Sequence, residues 1–301
     1  MAEPEAPPVT SERPPETDMV LYEVIDEHIA RITLNRPHRR NAILMPDMHI
    51  ELHEKFEAAQ DDDAIKVIVL AATGPHFCSG EDVNRVPVET FGLKKGERLP
   101  QSRRIRGIVK GRTDGPGLLT CDKTVIAAVQ GAAFGLGFNL ALSCDMIIAA
   151  DDAVFSRRQT RIGFGGFDML LPVVLLKLGI NRGYEIILTG RKISASDLHE
   201  WGVVSSVVPV DDLPDEALRY ARAVAAHSTD GLMIGRQAKK LFWDMMGLPQ
   251  WNDFVAIGHP LFTNLVWRED EANLLKERAR TGNAREALDA VHRRWEELGF
   301  E

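Results

Sequence analysis

Two glycine-bearing turns, each following a short apolar run, hold the residues of this chain best suited to chemistry. The first joins the run 66–72 (KVIVLAA) to Thr73-Gly74-Pro75-His76-Phe77-Cys78-Ser79-Gly80-Glu81-Asp82, and the second joins the run 125–129 to Gly131, Gly135 and Gly137. Both runs are short, apolar and rich in β-branched residues, the pattern of buried strands. A turn that leaves a strand through glycine permits close backbone approach, and where it opens a helix it aims backbone N–H groups at whatever sits in front of it. Two such turns converging on one point would hold an oxyanion or a phosphate. The plainer alternative is a pair of tight turns that need glycine for conformation alone.

Few groups nearby can move a proton. Asp168, in Gly163-Phe164-Gly165-Gly166-Phe167-Asp168-Met169-Leu170, sits in an apolar, glycine-rich loop. Desolvation there raises a carboxyl toward a useful range, while Arg157, Arg158 or Arg161 would push it down; a loop-capping role is the alternative. His76 precedes the first turn and either reaches a site there or merely neighbours it. The Glu81 carboxylate is read as solvated or salt-bridged and Asp82 as a turn cap. Cys78, Cys121 and Cys144 are an odd number without metal-ligand spacing, so no metal site is expected. Cys78 and Cys144 read as small buried residues, since nothing cationic adjoins them in sequence.

The elements that must position these groups follow from composition and periodicity. The 301 residues, 45% hydrophobic, suit one large soluble domain or two small ones. A formal charge of −8 argues against nucleic acid as a partner. No basic-then-apolar leader and no apolar run of roughly 20 residues is present, which predicts a cytoplasmic protein with reduced thiols and no membrane insertion. Residues 1–18, with Pro4, Pro7, Pro8, Pro14 and Pro15 among acidic side chains, read as a disordered tail. Residues 19–210 read as an α/β core and 211–301 as a helical region. Within the core, 20–26 and 29–35 predict a hairpin, and Met48, Leu52, Phe56 and Ala59 behind Pro46 predict a helix. The polar stretch 83–119, with Lys94, Lys95, Arg98, Arg103, Arg104, Arg106, Lys110 and Arg112, is either a solvated cover or a phosphate-binding surface. Residues 139–150 form one apolar segment too long for a surface loop. Strands are predicted over 146–149 and 203–208 with a helix at 183–188, and then helices over 217–226, 232–245, 254–278 and 284–298.

Taken together, several motifs resemble the enoyl-CoA hydratase/isomerase family, the crotonase superfamily, from about residue 20 to about 278. They are Thr33-Leu34-Asn35-Arg36-Pro37 with Asn41-Ala42, the Phe77 to Asp82 turn, and Ile126-Ala127-Ala128-Val129-Gln130-Gly131. Ser143-Cys144-Asp145 and Leu188-Thr189-Gly190 followed by Ile193-Ser194-Ala195 complete the set. The resemblance implies a crotonase-like spiral of ββα units followed by a C-terminal helical part that packs beside it or on a neighbouring subunit, in homotrimers or dimers of trimers.

It also implies a chemistry. Relatives hold the carbonyl oxygen of a coenzyme A thioester on two backbone N–H groups, here those of Glu81 and Leu136, and stabilise the enolate that forms. Leu136 stands in the middle of a position that is usually Gly-Gly-Gly. The family's two hydratase glutamates are replaced by Asn139 and Gln159, and neither amide can exchange a proton near neutral pH, though either can orient water. Simple hydration is therefore disfavoured, and Asp168 becomes the acid/base candidate for proton relocation or hydrolytic chemistry. The Asp168 spacing is similar to 6-oxocamphor hydrolase, which cleaves a carbon–carbon bond of a cyclic β-diketone without coenzyme A. A small cyclic ketone is thus the second substrate candidate, and a non-catalytic acyl-CoA-binding homologue the third reading. No permanently bound cofactor is implied, and coenzyme A enters as part of the substrate. Its adenine would meet the Ser79 carbonyl, and Gly80, His76, Gly135 and Phe138 would border the substrate. Arg36 and Lys276 lie where basic residues meet phosphates, but beyond Arg278 the usual Pro-Asn-Phe ending gives way to Thr281-Gly282-Asn283 and a further helix.

Overall fold

The computed structural model describes residues 17–45, 47–82, 100–110, 117–163, 170–263, 268–271 and 273–300. The tail read over 1–18 falls almost wholly outside them, as do most of the 83–119 stretch and Asp168. β1 (Val20–Asp26) and β2 (Ile29–Leu34) form the expected antiparallel hairpin, Val20 opposite Leu34. α1 (Asp47–Asp61) buries Met48, Leu52, Phe56 and Ala59, whose spacing puts them on one helical face. Next come β3 (Val67–Ala72), α2 (Gln101–Lys110), β4 (Thr124–Val129), β5 (Ala132–Phe134), α3 (Leu136–Ser143), β6 (Met146–Ala150) and β7 (Val154–Ser156). The core continues through α4 (Leu171–Leu178), α5 (Ile180–Thr189), β8 (Lys192–Ser194), α6 (Ala195–Glu200) and β9 (Ser206–Val208). α7 (Leu213–Ala225), α8 (Thr229–Met245), α9 (Leu248–Thr263), α10 (Leu274–Thr281) and α11 (Ala284–Glu296) form the helical region.

Six strands pair in the order β1-β2-β3-β4-β6-β9, all parallel except the first pair, and β5, β7 and β8 make a smaller sheet. A parallel sheet must be covered on both faces, and the apolar run of β3 shows how. Its Ile68 and Leu70 enter the large core with Met48 and Phe56 of α1 and Phe138 of α3. The alternate residues Val67 and Val69 pack with Ile126, Ala128 and Ile148 against Leu213, Ala217 and Ala221 of α7. For function the decisive pairing is β3 with β4, parallel and in register from Val67↔Thr124 to Leu70↔Ala127. Parallel neighbours end on the same side, so the two glycine-bearing turns emerge next to each other.

Three sequence expectations shift. The apolar segment 139–150 is divided, because α3 ends at Ser143, Cys144 turns extended, and β6 starts at Met146. The 203–208 strand shrinks to Ser206–Val208, since the N–H groups of Val203 and Val204 both return to the Leu198 carbonyl to close α6. The single helix predicted over 254–278 is two, α9 and α10. Asn273 between them is buried, and Leu274 N–H donates to the Ile162 carbonyl at 3.1 Å. α8 is tied to the core by one carboxylate: Asp145 receives Arg236 at 2.6 Å and also Lys239.

Candidate active site

The first turn is held from both sides. On one side Ile43 N–H donates to the Gly80 carbonyl and Asp82 N–H to the Ile43 carbonyl, at 2.8 and 3.0 Å. On the other, Phe77 N–H reaches the Gln130 carbonyl at 2.8 Å, Cys78 N–H the Ala132 carbonyl at 3.0 Å, and Phe134 N–H the Cys78 carbonyl at 2.9 Å. With its flanking peptide groups turned toward Ile43, Glu81 presents its own N–H on the opposite edge. Among the described residues that N–H donates to no backbone acceptor, and neither does the N–H of Leu136.

Gly80 is where the two turns touch. It adopts φ +105°, and a Cβ there would lie 3.0 Å from the Phe134 carbonyl oxygen and 3.6 Å from the Leu136 nitrogen. Gly137, one residue further, admits no side chain either, because its Cβ would come within 2.2 Å of the Cys78 carbonyl oxygen. These two contacts explain the glycines without invoking loop flexibility. Leu136 is the first residue of α3, so its N–H belongs to the unsatisfied, positively polarised end of a helix.

Side-chain amides buttress the turns. Asn41, fully buried, receives Arg36 N–H on its Oδ1 and donates to the carbonyls of Thr73 and His76. Gln130 donates to the carbonyls of Ala72 and Gly74 at 2.8 and 2.9 Å. In the sequence these two residues were visible only as letters of the motifs Asn41-Ala42 and Gln130-Gly131, and an amide that can close two carbonyls at once is the signal that marks them.

The amides Asn139 and Gln159, expected to stand in for the two glutamates, behave differently from each other. Asn139 is buried, and its Oδ1 accepts from Arg157 Nη1, which also donates to the Gly135 carbonyl at 3.2 Å. Because arginine only donates, the NH₂ end of Asn139 is the end turned away. Burial lowers the Arg157 guanidinium to about 9. Gln159 lies against Gly135, its Nε2 3.0 Å from where a Cβ on that glycine would be, and its Oε1 is buried without a partner among the described residues. Gln159 and Asn139 thus flank the residue that precedes the Leu136 N–H. Glu81 is an exposed residue whose carboxyl is nonetheless raised, first by partial burial and then by the adjacent Asp82 charge.

Several expected substrate contacts are found elsewhere. Arg36 is not a surface phosphate ligand: it is 2% exposed and paired with Asp82 at 2.8 Å, donating also to the Ala42 carbonyl. Asp82 is accordingly an ion-pair partner and not only a turn cap. Phe138, expected to border a substrate, is fully buried, with its ring 5.5 Å from that of Phe155. His76 accepts the Ala132 N–H on Nδ1 at 3.2 Å, which makes it a strut between the turns. Lys276 closes the carbonyls of Arg268, Glu269 and Glu271 at the head of α10. Ser79 is half-buried, anchored through its N–H to the Arg40 carbonyl at 3.0 Å. All three cysteines are buried and reduced, and burial pushes Cys78 up to about 12 and Cys144 higher still. Among the described residues no cluster of three or more potential metal-binding His, Cys, Asp or Glu side chains occurs.

Against known proteins, residues 24–244 match the family profile described as Enoyl-CoA hydratase/isomerase. The 1,2-epoxyphenylacetyl-CoA isomerase of Escherichia coli is 34% identical over 217 residues, covering 71% of this chain and 79% of that protein. The mevalonyl-coenzyme A hydratase sidH of Aspergillus fumigatus is 31% identical, covering 74% and 78%. The crystal structure of an enoyl-CoA hydratase/isomerase from Xanthobacter autotrophicus Py2 superposes with a TM-score of 0.76 at 30% identity, over 92% of this chain and 98% of that one.

Proposed function

This chain belongs to the enoyl-CoA hydratase/isomerase family and has its crotonase fold, and from that premise we propose that it binds an acyl-CoA thioester with the carbonyl oxygen on the N–H groups of Glu81 and Leu136. The enolate formed on α-proton removal would be stabilised there, with coenzyme A as part of the substrate and its adenine at the Ser79 carbonyl. The observation that carries this reading is the contact at Gly80, where the two turns meet and neither donor is taken by the backbone of the described residues. Preorganised donors of this kind act on charge that develops during reaction, each contributing about 2.7–4 kcal/mol.

The reaction is not paired-carboxylate hydration, because Asn139 and Gln159 orient and do not exchange protons. Asp168 is the proposed acid/base, with Gln159 positioning water or a substrate hydroxyl through its buried Oε1. The helical region 211–301 is proposed to pack subunits into a homotrimer or a dimer of trimers; exposed Ile234, Leu241 and Met245 on α8 support an apolar contact there. A cytoplasmic location accompanies this reading, and among the described residues no helix is long and apolar enough to cross a membrane.

The test is exchange of the α-protons of saturated acyl-CoAs in D₂O, followed by mass spectrometry. Wild-type protein is expected to catalyse exchange, and Asp168→Asn to slow it by about 10²–10⁴-fold, the usual worth of a positioned acid/base. Tight binding without exchange would identify a non-catalytic acyl-CoA binder. Unchanged exchange in the variant would remove Asp168 from the mechanism.

A further inference from the structure

A cationic cluster stands beside Gln159 that the enolate chemistry does not use. Arg161 is fully buried; its Nε donates to the Thr189 carbonyl at 2.6 Å and its Nη2 to the Phe300 carbonyl at 3.0 Å, while Trp295 covers it at 5.6 Å. Its Nη1 is buried without a partner among the described residues, and so is Nδ1 of His292 on α11. Arg158 completes the group, its guanidinium 5.3 Å from the ring of Phe134 on the oxyanion turn and its Nε 3.3 Å from Ser156 Oγ. The acidic groups within electrostatic reach are Glu296, for the two arginines, and Asp289, for His292, and neither forms an ion pair with them among the described residues. Buried guanidinium groups call for a matched anion, and buried polar atoms for a hydrogen-bond partner. A carboxylate answers both, since it accepts several N–H bonds at once.

We propose that Arg158, Arg161 and His292 bind a carboxylate carried on the acyl group of the substrate, so that the enzyme selects ω-carboxyacyl-CoA thioesters over acyl chains ending in methyl. This assignment rests on the acyl-CoA reading above. The neighbours also account for His292, which burial first, and then the two arginine charges, lower to about 4. An anion seated among them reverses the charge contribution, so binding raises the titration midpoint of this ring.

The test compares adipoyl-CoA with hexanoyl-CoA, six-carbon chains that differ only at the far end, by calorimetry and α-proton exchange on the full chain. Adipoyl-CoA is expected to bind at least about tenfold more tightly, the worth of one charge-assisted hydrogen bond. The ratio should collapse toward one in Arg158→Met, at a half-buried position, and in Arg161→Met. The His292 ring, followed by NMR, should titrate higher with adipoyl-CoA bound than with hexanoyl-CoA, a readout independent of whether Arg161→Met folds. Hexanoyl-CoA binding and exchanging as well as adipoyl-CoA overturns the carboxylate assignment and leaves the acyl-CoA reading standing. Failure of both to bind overturns the two together.

Discussion

Gly80→Ala separates a stabilising role of the turn contact from a catalytic one. The φ of +105° is one that L side chains rarely adopt, and holding alanine there costs roughly 1–3 kcal/mol of stability. The added methyl would also sit 3.0 Å from the Phe134 carbonyl and 3.6 Å from the Leu136 nitrogen. The first spacing is relieved only if the turns part by a few tenths of an ångström. The second puts a methyl beside the N–H that is proposed to meet the thioester oxygen. Parting the turns would lengthen one of the two proposed oxyanion hydrogen bonds, and removing such a donor costs about 2.7–4 kcal/mol, or about 10²–10³ in rate. Urea unfolding should therefore show a moderate loss, while α-proton exchange at saturating acyl-CoA falls by two to three orders of magnitude on the same scale. The two losses are told apart by assay, one read from unfolding and the other from turnover of folded protein at saturating acyl-CoA. Exchange within about threefold of wild type, under roughly 1 kcal/mol of barrier, alongside the expected loss of stability would refute the reasoning. Gly80 would then be a conformational glycine only.

Removing Arg36 by Arg36→Met should destabilise the chain by about 3–5 kcal/mol in urea unfolding, because Asp82 is left charged and buried; pairing it with Asp82→Leu should recover most of that loss. His292 has a folded pKa depressed to about 4, so its neutral form stabilises the fold fully above the unfolded value near 6.5, and that contribution is lost as pH falls from there toward 4. Thermal unfolding of wild type should decline across that window, and His292→Phe should flatten the decline. Cys78 and Cys144, buried and raised by burial, should resist a thiol reagent in the native protein and react once it is unfolded in urea.

Much of the fold was legible because its signals are local. The runs 66–72 and 125–129 are apolar on both strand faces, a pattern satisfied only by a sheet covered on both sides, and β3 and β4 are that pair. The spacing of Met48, Leu52, Phe56 and Ala59 fixed a helical face in the same local way. Short elements were missed for the opposite reason. Three-residue strands such as Ala132–Phe134 and Val154–Ser156 have no periodicity of their own, and exist because neighbouring segments supply their hydrogen bonds. The site divides along the same line. Backbone donors depend on where glycine permits approach, which Gly80 and Gly137 announce in sequence. Side-chain roles depend on what lies across the fold, and neither Arg36 nor Phe138 carries any local sign that one meets Asp82 and the other Phe155.

The same distinction bears on Asn139. Its sequence position suggests a lost glutamate, but its Oδ1 is already committed to Arg157, so what it can offer a ligand is an N–H donor. A glutamate there would instead place a carboxylate on a buried guanidinium and cancel the positive field beside the Leu136 N–H. With asparagine the field persists beside the proposed oxyanion donor. An asparagine here and two backbone donors left untaken by the described backbone both fit the proposed reading, in which the site stabilises an anion and leaves proton movement to another group.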